Sequence, residues 1–384
     1  MADSEEIKVL FVTNYRELYG ANNSMLQLML ELREKGVCPT VLLPVGDVNP
    51  DNDLTERLDS ERIPYVEAPI RLDKNHSWKT TVANYLLAML YRKYASRATE
   101  GMDFDIIHSN SSTMSVGAYL ARKLGRPHVW HMREFGDLDY GLRTPFGKWF
   151  QKIIYGGHNT FIAISERIRH HYSPYIGNQD IRLIYNGIKA SPKRPDGDHE
   201  RVEICIVGLL RKEKGQLDLI KAADKLVNRR GIRGFHITVV GSGDPGYELL
   251  MKDYIERNGL KDYVTMAGRR NDIPEFLTKM DIGVMASAHE AFGRVTVEYM
   301  LAGLATIASN GGASKEIIDD GETGLLYESG SHVALADRLD ILITQPDLRK
   351  RLAQKGLEAA ELKFSSKANS DAVYGLYKEI LNKE

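Results

Sequence analysis

The residues best suited to chemistry lie in the stretch Ala286–Gly303, which carries two glutamates and a glycine next to a helical pattern. The apolar run Ile282–Met285 before it predicts a buried strand, and apolar side chains recur at helical spacing from Arg294 onward. Gly293 therefore lies where a helix is expected to begin. A helix start stabilises a phosphate group, because it offers unpaired backbone N–H groups and the positive end of the helix dipole.

Glu290 precedes this helix start, and Glu298 lies about one turn inside the helix. Carboxylates do not bind phosphate, but they accept hydrogen bonds from pairs of sugar hydroxyls. One glutamate would then hold a sugar and the other a ribose, with a phosphate between them. On spacing alone, a solvated helix glutamate and a loop charge explain the two residues at least as well. The choice depends on the rest of the chain.

Short apolar runs rich in Val and Ile alternate with amphipathic segments of helix length, the pattern of parallel sheets built from βαβ units. The polar segment Lys189–His199, with its prolines and glycine, predicts a linker between two doubly wound domains, and the chain after Pro346 predicts helix to its end. The predicted strands are Val9–Thr13, Thr40–Pro44, Ile106–Ser109, His128–His131, Thr160–Ile164 and Arg182–Tyr185 in the first half, and Glu203–Val207, His236–Val240, Val264–Ala267, Ile282–Met285 and Ala305–Ala308 in the second.

Charge balance, cysteine content and apolar segments narrow the class of partner and the cellular location. With 51 Lys plus Arg against 52 Asp plus Glu, no overall field recruits nucleic acid. Cys38 and Cys205 form neither a disulfide framework nor a metal-ligand pair, which favours a reducing cytoplasm. The acidic start lacks the features of a signal peptide, and the apolar stretch Tyr85–Tyr91 is far shorter than the ~20 residues that span a bilayer. We expect a cytoplasmic protein.

The segment from Ser287 to Gly303 resembles the signature of retaining glycosyltransferase family four, whose members have the GT-B fold. Other segments resemble loops of the same family and follow in the expected order, so the resemblance covers nearly the whole chain. They are Tyr19–Met25, Ile107–Asn110, His131–Glu134, Ala163–Ser165, Tyr185–Gly187, Val207–Gly215, Val239–Gly243, Asn310–Ile317 and Asp320–Leu326. The resemblance implies an α/β GT-B protein, in which two Rossmann-like domains face an interdomain cleft. They are an acceptor domain, 1–188, and a nucleotide-sugar donor domain, 189–365. The C-terminal helix 366–384 could pack on either half, and packing on the acceptor domain is the prediction.

Carried over by position, the resemblance assigns the donor site to the second half. Glu290 is implied to contact the transferred sugar and Glu298 the ribose hydroxyls. Lys214 is the implied diphosphate cation, whose charge would offset the negative charge that grows on the leaving group. The backbone N–H groups that would contact the sugar and diphosphate are those of Phe292, Gly293, Arg294 and Val295.

Other segments match the family pattern only in part. The family's histidine at the position of His131 contacts the donor sugar, and Gly20 matches the first glycine of a double-glycine loop near the diphosphate, with Ala21 in place of the second. Leu209 stands where the family commonly has arginine, which leaves open whether Arg211 reaches the same phosphate.

Four further positions concern the nucleobase and the packing. Backbone at Arg269 and Arg270 is implied to meet the nucleobase. Tyr299 replaces a residue that is usually small, and Ala305 stands where the family often has proline. Both departures suit a structural role.

The implied reaction transfers a sugar from a nucleoside diphosphate sugar to a saccharide or lipid-linked acceptor with retention, most often from a UDP-sugar, in cell-surface polysaccharide or glycan biosynthesis. His131, Glu290 and Lys214 would be the catalytic residues. No covalent nucleophile is evident, which favours a front-face mechanism. A nucleotide-sugar epimerase on the same fold and a non-catalytic nucleotide-sugar-binding protein are the alternatives.

Neither a cofactor nor a metal is expected. Three Asp-x-Asp sequences, at Asp51–Asp53, Asp103–Asp105 and Asp137–Asp139, are interpreted as solvated turns. The chain has neither a Gly-x-Gly-x-x-Gly after its first strand nor a P-loop, which argues against a dehydrogenase and an NTPase.

Aromatic and basic residues occur together in Trp78–Arg97, and a second basic run comprises Arg122, Lys123, Arg126 and Arg133. Such clusters are typical of contact with an anionic membrane surface, although an ordinary packed helix explains the first equally well. Peripheral membrane contact at the inner face is therefore a hypothesis.

Overall fold

The computed structural model describes residues 6–46, 53–70, 90–113, 115–137, 155–157, 159–177, 179–190, 192 and 200–382. The chain divides into two compact units. The first comprises Met1–Gly187 and Ser366–Glu384, and the second comprises Ile188–Ser365. The division falls one residue before the position expected from the sequence.

The first unit contains a seven-stranded parallel sheet in the order β3-β2-β1-β4-β5-β6-β7. Because β1 pairs with both β2 and β4, the loops that follow β1 and β4 lie side by side at the carboxyl edge of the sheet. The strands are β1 (Ile7–Val12), β2 (Val37–Pro44), β3 (Tyr65–Ala68), β4 (Ile106–Ser109), β5 (His128–Met132), β6 (Asn159–Ala163) and β7 (Ile181–Leu183).

The second unit contains a six-stranded parallel sheet in the order β10-β9-β8-β11-β12-β13. Here β8 lies between β9 and β11, so the loops after β8 and β11 are neighbours at the carboxyl edge. The strands are β8 (Val202–Val207), β9 (Phe235–Val240), β10 (Val264–Gly268), β11 (Ile282–Met285), β12 (Ala305–Ser309) and β13 (Leu325–Tyr327).

Helices cover the sheets, and the apolar side chains between them form the cores. In the first unit the named helices are Gly20–Arg33, Leu54–Ser60, Val116–Leu124, Glu166–Ile176 and Ser366–Leu381. In the second they are Gln216–Asp224, Pro245–Arg257, Ile273–Leu277, Arg294–Leu301, Ser314–Ile317, His332–Thr344 and Pro346–Phe364, with a 3-10 turn at Lys212–Lys214 and a π turn at Lys225–Arg229. Among the described residues, no helix is long and apolar enough to cross a membrane.

The predicted strands are all present, with ends that differ by up to three residues. The sequence did not predict β3 and β13, which lie at sheet edges. An edge strand is paired on one side only and need not be apolar on both faces, so its pattern is weak. In Tyr65–Ala68 only Ala68 is buried.

The C-terminal helical segment is two helices rather than one. Pro346–Phe364 ends at Ser365, whose extended backbone (φ −66°, ψ 152°) interrupts the helix. Ser366–Leu381 then packs against Gly20–Arg33 of the first unit. Its Val373, Leu376 and Tyr377 are buried in that unit's core, so this helix completes the first unit.

Candidate functional site

The loop after β8 positions the expected diphosphate cation. It forms the 3-10 turn Lys212–Lys214, which ends at Gly215 in a left-handed conformation (φ +71°). A Cβ at Gly215 would lie 2.5 Å from the carbonyl oxygen of Ala286, in the neighbouring loop after β11. Because that approach leaves no space for a side chain, glycine is required to bring the two loops together.

Lys214 and Glu290 meet across these two loops. The Nζ atom of Lys214 lies 2.5 Å from Oε1 of Glu290, and the two side chains are 35% and 17% exposed. The resemblance assigned Lys214 to the diphosphate and Glu290 to the transferred sugar, and the structure places their charged groups in direct contact. A bound diphosphate would therefore compete with Glu290 for the same ammonium group.

A second glycine contact holds the backbone of Glu290. Gly312, in the loop after β12, has a left-handed φ of +59°, and a Cβ there would lie 2.5 Å from the amide nitrogen of Glu290. The N–H of Ala313 also donates to the carbonyl oxygen of Glu290 at 3.0 Å. Close packing and a hydrogen bond from the loop after β12 thus hold the backbone of Glu290, and with it the base of its side chain, in place.

The predicted helix start at Gly293 is confirmed. Gly293 is the N-cap of Arg294–Leu301 with a left-handed φ of +95°, and as a glycine it supplies no side-chain cap. The neighbouring Phe292 is buried and packs edge-on against Phe364, with ring centroids 5.8 Å apart, while Val295 is half-buried. The start of this helix therefore has the backbone geometry that favours an anion.

Glu298 lies on the same helix with its side chain 23% exposed, and Oε1 is 3.2 Å from Nη2 of Arg294. Burial raises the pKa of the Glu298 carboxyl above its ordinary value, and the charge and hydrogen bond of Arg294 oppose that shift. The Glu298 side chain thus keeps part of its surface exposed beside its contact with Arg294.

The other arginines of the predicted site differ in their exposure and in their contacts. Arg211 is exposed at the start of the 3-10 turn, and Arg269 is exposed after β10. Arg270 donates from Nε to Asp272 at 2.9 Å and stacks on Phe276, with its Cζ atom 5.0 Å from the ring centroid. The Arg270 side chain is thus engaged within its own loop.

Tyr299 and Ala305 have the structural roles expected of them. The Tyr299 ring is fully buried beneath Gly283, where an added Cβ would lie 2.3 Å from the ring, and its hydroxyl accepts from the N–H of Val207 at 2.7 Å. Ala305 begins β12, and its N–H donates to the carbonyl oxygen of Asp281 at 3.0 Å. A proline at this position would lose that hydrogen bond.

In the first unit, Gly20 begins the helix Gly20–Arg33 and is exposed, with Ala21 half-buried behind it. The N-cap Tyr19 makes no side-chain capping bond. Nδ2 of Asn110, in the loop after β4, donates to the carbonyl oxygen of Ala21 at 3.3 Å. The start of this helix and the loop after β4 are therefore adjacent, as the strand order requires.

His131 lies on β5, is fully buried and belongs to a polar network. Its Nδ1 is 3.1 Å from Nε2 of His108 and 3.3 Å from Nη2 of Arg133, and its Nε2 has no partner among the described residues. Burial, and then the charge of Arg133, hold the pKa of His131 well below its ordinary value. The ring is neutral and has one nitrogen left for a ligand.

The sequence missed His108 as a partner of His131 and Tyr377 as a partner of His108. Oη of Tyr377 lies 2.6 Å from Nδ1 of His108, although the two residues are 269 positions apart. A clue existed in Ile107–Asn110, which was matched to the family without a role for its histidine. The contact of Tyr377 had no signal, because packing of the C-terminal helix on the first unit does not by itself indicate which of its side chains reaches His108.

One residue of the proposed basic run was assigned wrongly. Arg133 is 6% exposed, and its guanidinium donates to Asn110 Oδ1 at 2.6 Å and to Asn186 Oδ1. It cannot contribute to a membrane surface, because a neighbouring network already holds it inside the protein. Within Trp78–Arg97, the part up to residue 89 lies outside the described residues.

The described members of the Asp-x-Asp sequences have structural contacts. Asp53 caps the helix Leu54–Ser60 and pairs with Arg16 at 2.9 Å, and Asp105 accepts from the N–H of Lys8 at 2.8 Å. Asp137 lies 3.1 Å from His171. Asp51 and Asp139 lie outside the described residues. Within the described ranges, no three His, Cys, Asp or Glu side chains are grouped as a metal site.

Comparisons with known proteins agree with this arrangement. Residues 188–359 match the family model described as Glycosyl transferases group 1, and residues 19–191 match Glycosyltransferase Family 4. An uncharacterized glycosyltransferase of Methanocaldococcus jannaschii is 28% identical over 293 residues, which cover 75% of this chain and 79% of that one. EpsD of Bacillus subtilis, whose name assigns it to the glycosyltransferases, is 31% identical over 323 residues, or 77% of this chain and 82% of that one.

A solved structure shows the same fold. The crystal structure of HepE from Anabaena in complex with UDP superposes with a TM-score of 0.77 at 20% identity, covering 97% of this chain and all of the other. Three findings agree with one another. Each unit is Rossmann-like, neighbouring loops lie side by side at the carboxyl edge within each sheet, and relatives match across most of the chain. The chain is a glycosyltransferase with the GT-B fold and belongs to the group 1 glycosyltransferases of family 4.

Proposed function

We propose that this glycosyltransferase transfers a sugar from a UDP-sugar to a saccharide or lipid-linked acceptor, with retention and without a metal or other cofactor. The single observation that carries the proposal is the Lys214–Glu290 contact beside the glycine-capped helix at Gly293. It combines a cation and a helix start, which suit a diphosphate, with a carboxylate, which suits sugar hydroxyls. The second unit is accordingly the donor domain and the first the acceptor domain.

In the proposed reaction, the bond between the anomeric carbon and the diphosphate oxygen breaks, and a bond from that carbon to an acceptor oxygen forms on the same face. The acceptor proton passes to the departing phosphate. Negative charge grows on the diphosphate during this step, so the ammonium group of Lys214 stabilises the transition state more than the ground state. Glu290 orients the sugar.

UDP is chosen because it is the commonest donor nucleotide in the resembling family, and because the fold neighbour HepE was solved with UDP. Relatives named for lipopolysaccharide core and capsular polysaccharide biosynthesis support a role in polysaccharide or glycan biosynthesis. The base itself is read by backbone near Arg269 and Arg270 in this proposal.

A thermal-shift screen of nucleoside diphosphates and nucleotide sugars tests the donor. A ligand present at about 100 times its dissociation constant adds ~2.7 kcal/mol of stability, so a UDP ligand should raise the melting temperature clearly. Stabilisation by another nucleotide alone would overturn the choice of UDP. Incubating the donor without acceptor adds a second outcome, because formation of an epimer would identify an epimerase instead.

Metal independence has its own test. Activity should be the same in EDTA and in buffer with magnesium, because the leaving group is stabilised by Lys214 and the helix start. Loss of transfer in EDTA that magnesium or manganese restores would refute this part of the proposal.

We also propose peripheral contact with an anionic membrane through the helical residues 90–98. Leu90, Lys93, Tyr94 and Arg97 are all exposed and recur at helical spacing, so apolar, aromatic and basic groups share one face. Arg92 is excluded from this face, because its guanidinium contacts Ser115 at 3.1 Å.

Flotation with vesicles that contain phosphatidylserine tests this face. Lys93→Ser with Arg97→Ser should reduce the fraction of protein that floats, because each basic residue near an anionic surface contributes ~1 kcal/mol. The matched control is Lys252→Ser with Lys261→Ser in the second unit, which should float like the wild type. Equal flotation of both double variants would remove this surface from the proposal.

A further inference from the structure

Three buried side chains of the first unit form a continuous row of hydrogen bonds. Tyr377 Oη lies 2.6 Å from Nδ1 of His108, and Nε2 of His108 lies 3.1 Å from Nδ1 of His131. Each of the three residues has 0% exposed surface. The row begins on the C-terminal helix Ser366–Leu381 and ends at Nε2 of His131, which has no hydrogen-bond partner within the described residues.

Arg133 fixes the position of the hydrogen on His131. Its Nη2 lies 3.3 Å from Nδ1 of His131, and a guanidinium can only donate, so this nitrogen carries a lone pair. The guanidinium is held in place by the side-chain oxygens of Asn110 and Asn186. Burial and the charge of Arg133 lower the pKa of His131 well below its ordinary value, so the ring is neutral. Its one hydrogen therefore lies on Nε2.

The same reasoning extends to the next two residues. If Nδ1 of His131 is an acceptor, Nε2 of His108 must donate to it, because two lone pairs would otherwise face each other at 3.1 Å. Burial also lowers the pKa of His108 well below its ordinary value, so that ring is neutral and its Nδ1 is an acceptor. The hydroxyl of Tyr377 must then donate to it, and burial raises the pKa of Tyr377 well above its ordinary value.

Because each group donates to the next, the last donor of the row, the Nε2–H of His131, is left without an acceptor among the described residues. The Nε2–H of His131 is buried, and a buried polar group without a partner is costly because it loses its hydrogen bond to water without replacing it. Such a cost is expected where a ligand supplies the missing partner. The ligand atom must be a hydrogen-bond acceptor, such as a sugar hydroxyl or ring oxygen, and a neutral ring with its hydrogen already on Nε2 cannot remove a proton there.

We propose that Tyr377 and His108 are positioning residues, which hold His131 in the Nε2–H form so that it donates a hydrogen bond to the donor sugar. This inference rests on the proposed function for the identity of the ligand. The C-terminal helix would then have a role in the reaction, although it lies far from β5 along the chain. Removing the hydroxyl of Tyr377 leaves Nδ1 of His108 without its donor and allows the His108 ring to change its tautomer.

The tautomers can be measured without any substrate. Nitrogen-15 NMR of the full chain with labelled histidine distinguishes a protonated ring nitrogen from one with a lone pair, and His108→Gln and His131→Gln assign the signals. We expect both His108 and His131 to carry their hydrogen on Nε2 near neutral pH. A hydrogen on Nδ1 of His131, or a charged ring, would overturn the proposal.

The kinetic test compares the same substitution at two positions of one helix. Tyr377→Phe should lower kcat about fivefold to tenfold with little change in UDP binding, since one hydrogen bond is lost. Tyr374→Phe is the matched control, because its ring is partly buried on the same helix, with Nζ of Lys378 4.8 Å from its centroid. An equal effect of both variants would refute a role for the Tyr377 hydroxyl.

A second pair of variants separates positioning from packing. The amide of Gln in His108→Gln can still donate toward His131, whereas His108→Leu fills similar space without a donor. We expect His108→Gln to retain several times more turnover than His108→Leu at equal melting temperature. Equal loss in both would indicate a packing role only.

The two proposals fail separately. If no UDP-sugar supports transfer but NMR finds Nε2–H on both rings, the hydrogen-bond row stands and the proposed donor is wrong. If transfer is normal but the tautomers differ from those expected, the proposed function stands and the positioning role is wrong.

Discussion

Lys214 and Glu290 in the second unit keep part of their surface in solvent, whereas Tyr377, His108 and His131 in the first unit have none. The first two are charged and lie on loops shaped by glycines. The other three are neutral and lie on a strand or a packed helix. A partly exposed ion pair contributes about 0–1 kcal/mol, so a ligand can separate it at small cost. A buried polar network is costly to rearrange, because each unmatched group loses its hydrogen bond without gaining water.

This difference indicates that the two units have different roles. In the proposed function, the second unit would offer groups that exchange partners when a charged diphosphate binds, and the first unit would offer a hydrogen-bond donor whose direction is set in advance. Variants that remove a charged group should therefore change binding as well as turnover. Variants that disturb the buried row should change turnover while nucleotide binding stays close to normal.

The largest expected effects follow removal of the two groups that the resemblance assigns to the donor sugar. Glu290→Ala and His131→Ala should each lower kcat by about 10²-fold or more, as for other positioned polar contacts. Titration of free UDP into each folded variant is the control, and His131→Ala should bind it nearly as the wild type does. Near-normal turnover of both variants would show that the site has been placed wrongly.

Gly312→Ala tests whether backbone packing positions Glu290. A Cβ would lie 2.5 Å from the amide nitrogen of Glu290, so the loop must shift, and a misplacement near 1 Å can cost up to about 10²-fold in rate. Gly330→Ala is the matched control, because its φ of +78° is equally strained but nothing lies within 4 Å of the added Cβ. If both variants retain the same kcat, the contact with Glu290 does not matter for catalysis.

Acid should destabilise the first unit through its buried histidines. Burial lowers the pKa of His128 to about 4 and places those of His108 and His131 well below 6.5. The unfolded chain therefore binds protons below about pH 6.5 that the folded chain does not. The free energy of unfolding should fall as the pH drops from about 6.5 toward 4, by up to ~1.4 kcal/mol per pH unit for each histidine.

Denaturant unfolding at about pH 7, 6 and 5 measures that slope. His128→Gln should reduce it by the share of one histidine. His170→Gln is the control variant, because it removes a histidine whose side chain is 78% exposed. A slope that His128→Gln does not alter would contradict the buried neutral state of His128.

The smallest effect is expected at Glu298. The resemblance assigns Glu298 to the ribose, and such a contact would be the same in the ground and transition states. Glu298→Gln should therefore raise the donor KM a few-fold, roughly the value of one weakened hydrogen bond, with kcat almost unchanged. Steady-state kinetics with varied donor measure both constants. A fall in kcat without a change in KM would place Glu298 at the reacting sugar instead.

Much of the architecture was readable from the sequence. Apolar runs such as Ile282–Met285 are buried on both faces of parallel sheets, which makes them visible without any alternation. Gly293 and the helical spacing after it located the helix start correctly, because local backbone preferences decide that feature. The edge strands Tyr65–Ala68 and Leu325–Tyr327 escaped notice, since pairing on one side demands less of the sequence.

For the site, the sequence by itself determined the residue types, and the tertiary structure decided their partners. The motif around Glu290 and the loop with Lys214 were recognisable, but their contact at 2.5 Å exists only because β8 and β11 are neighbours in the sheet. Arg133 looked like a surface charge in the sequence and is buried in the fold. Tyr377 meets His108 because the helix Ser366–Leu381 returns to the first unit. Contacts between residues so far apart depend on the path of the whole chain, and no local pattern of charge or hydrophobicity encodes them.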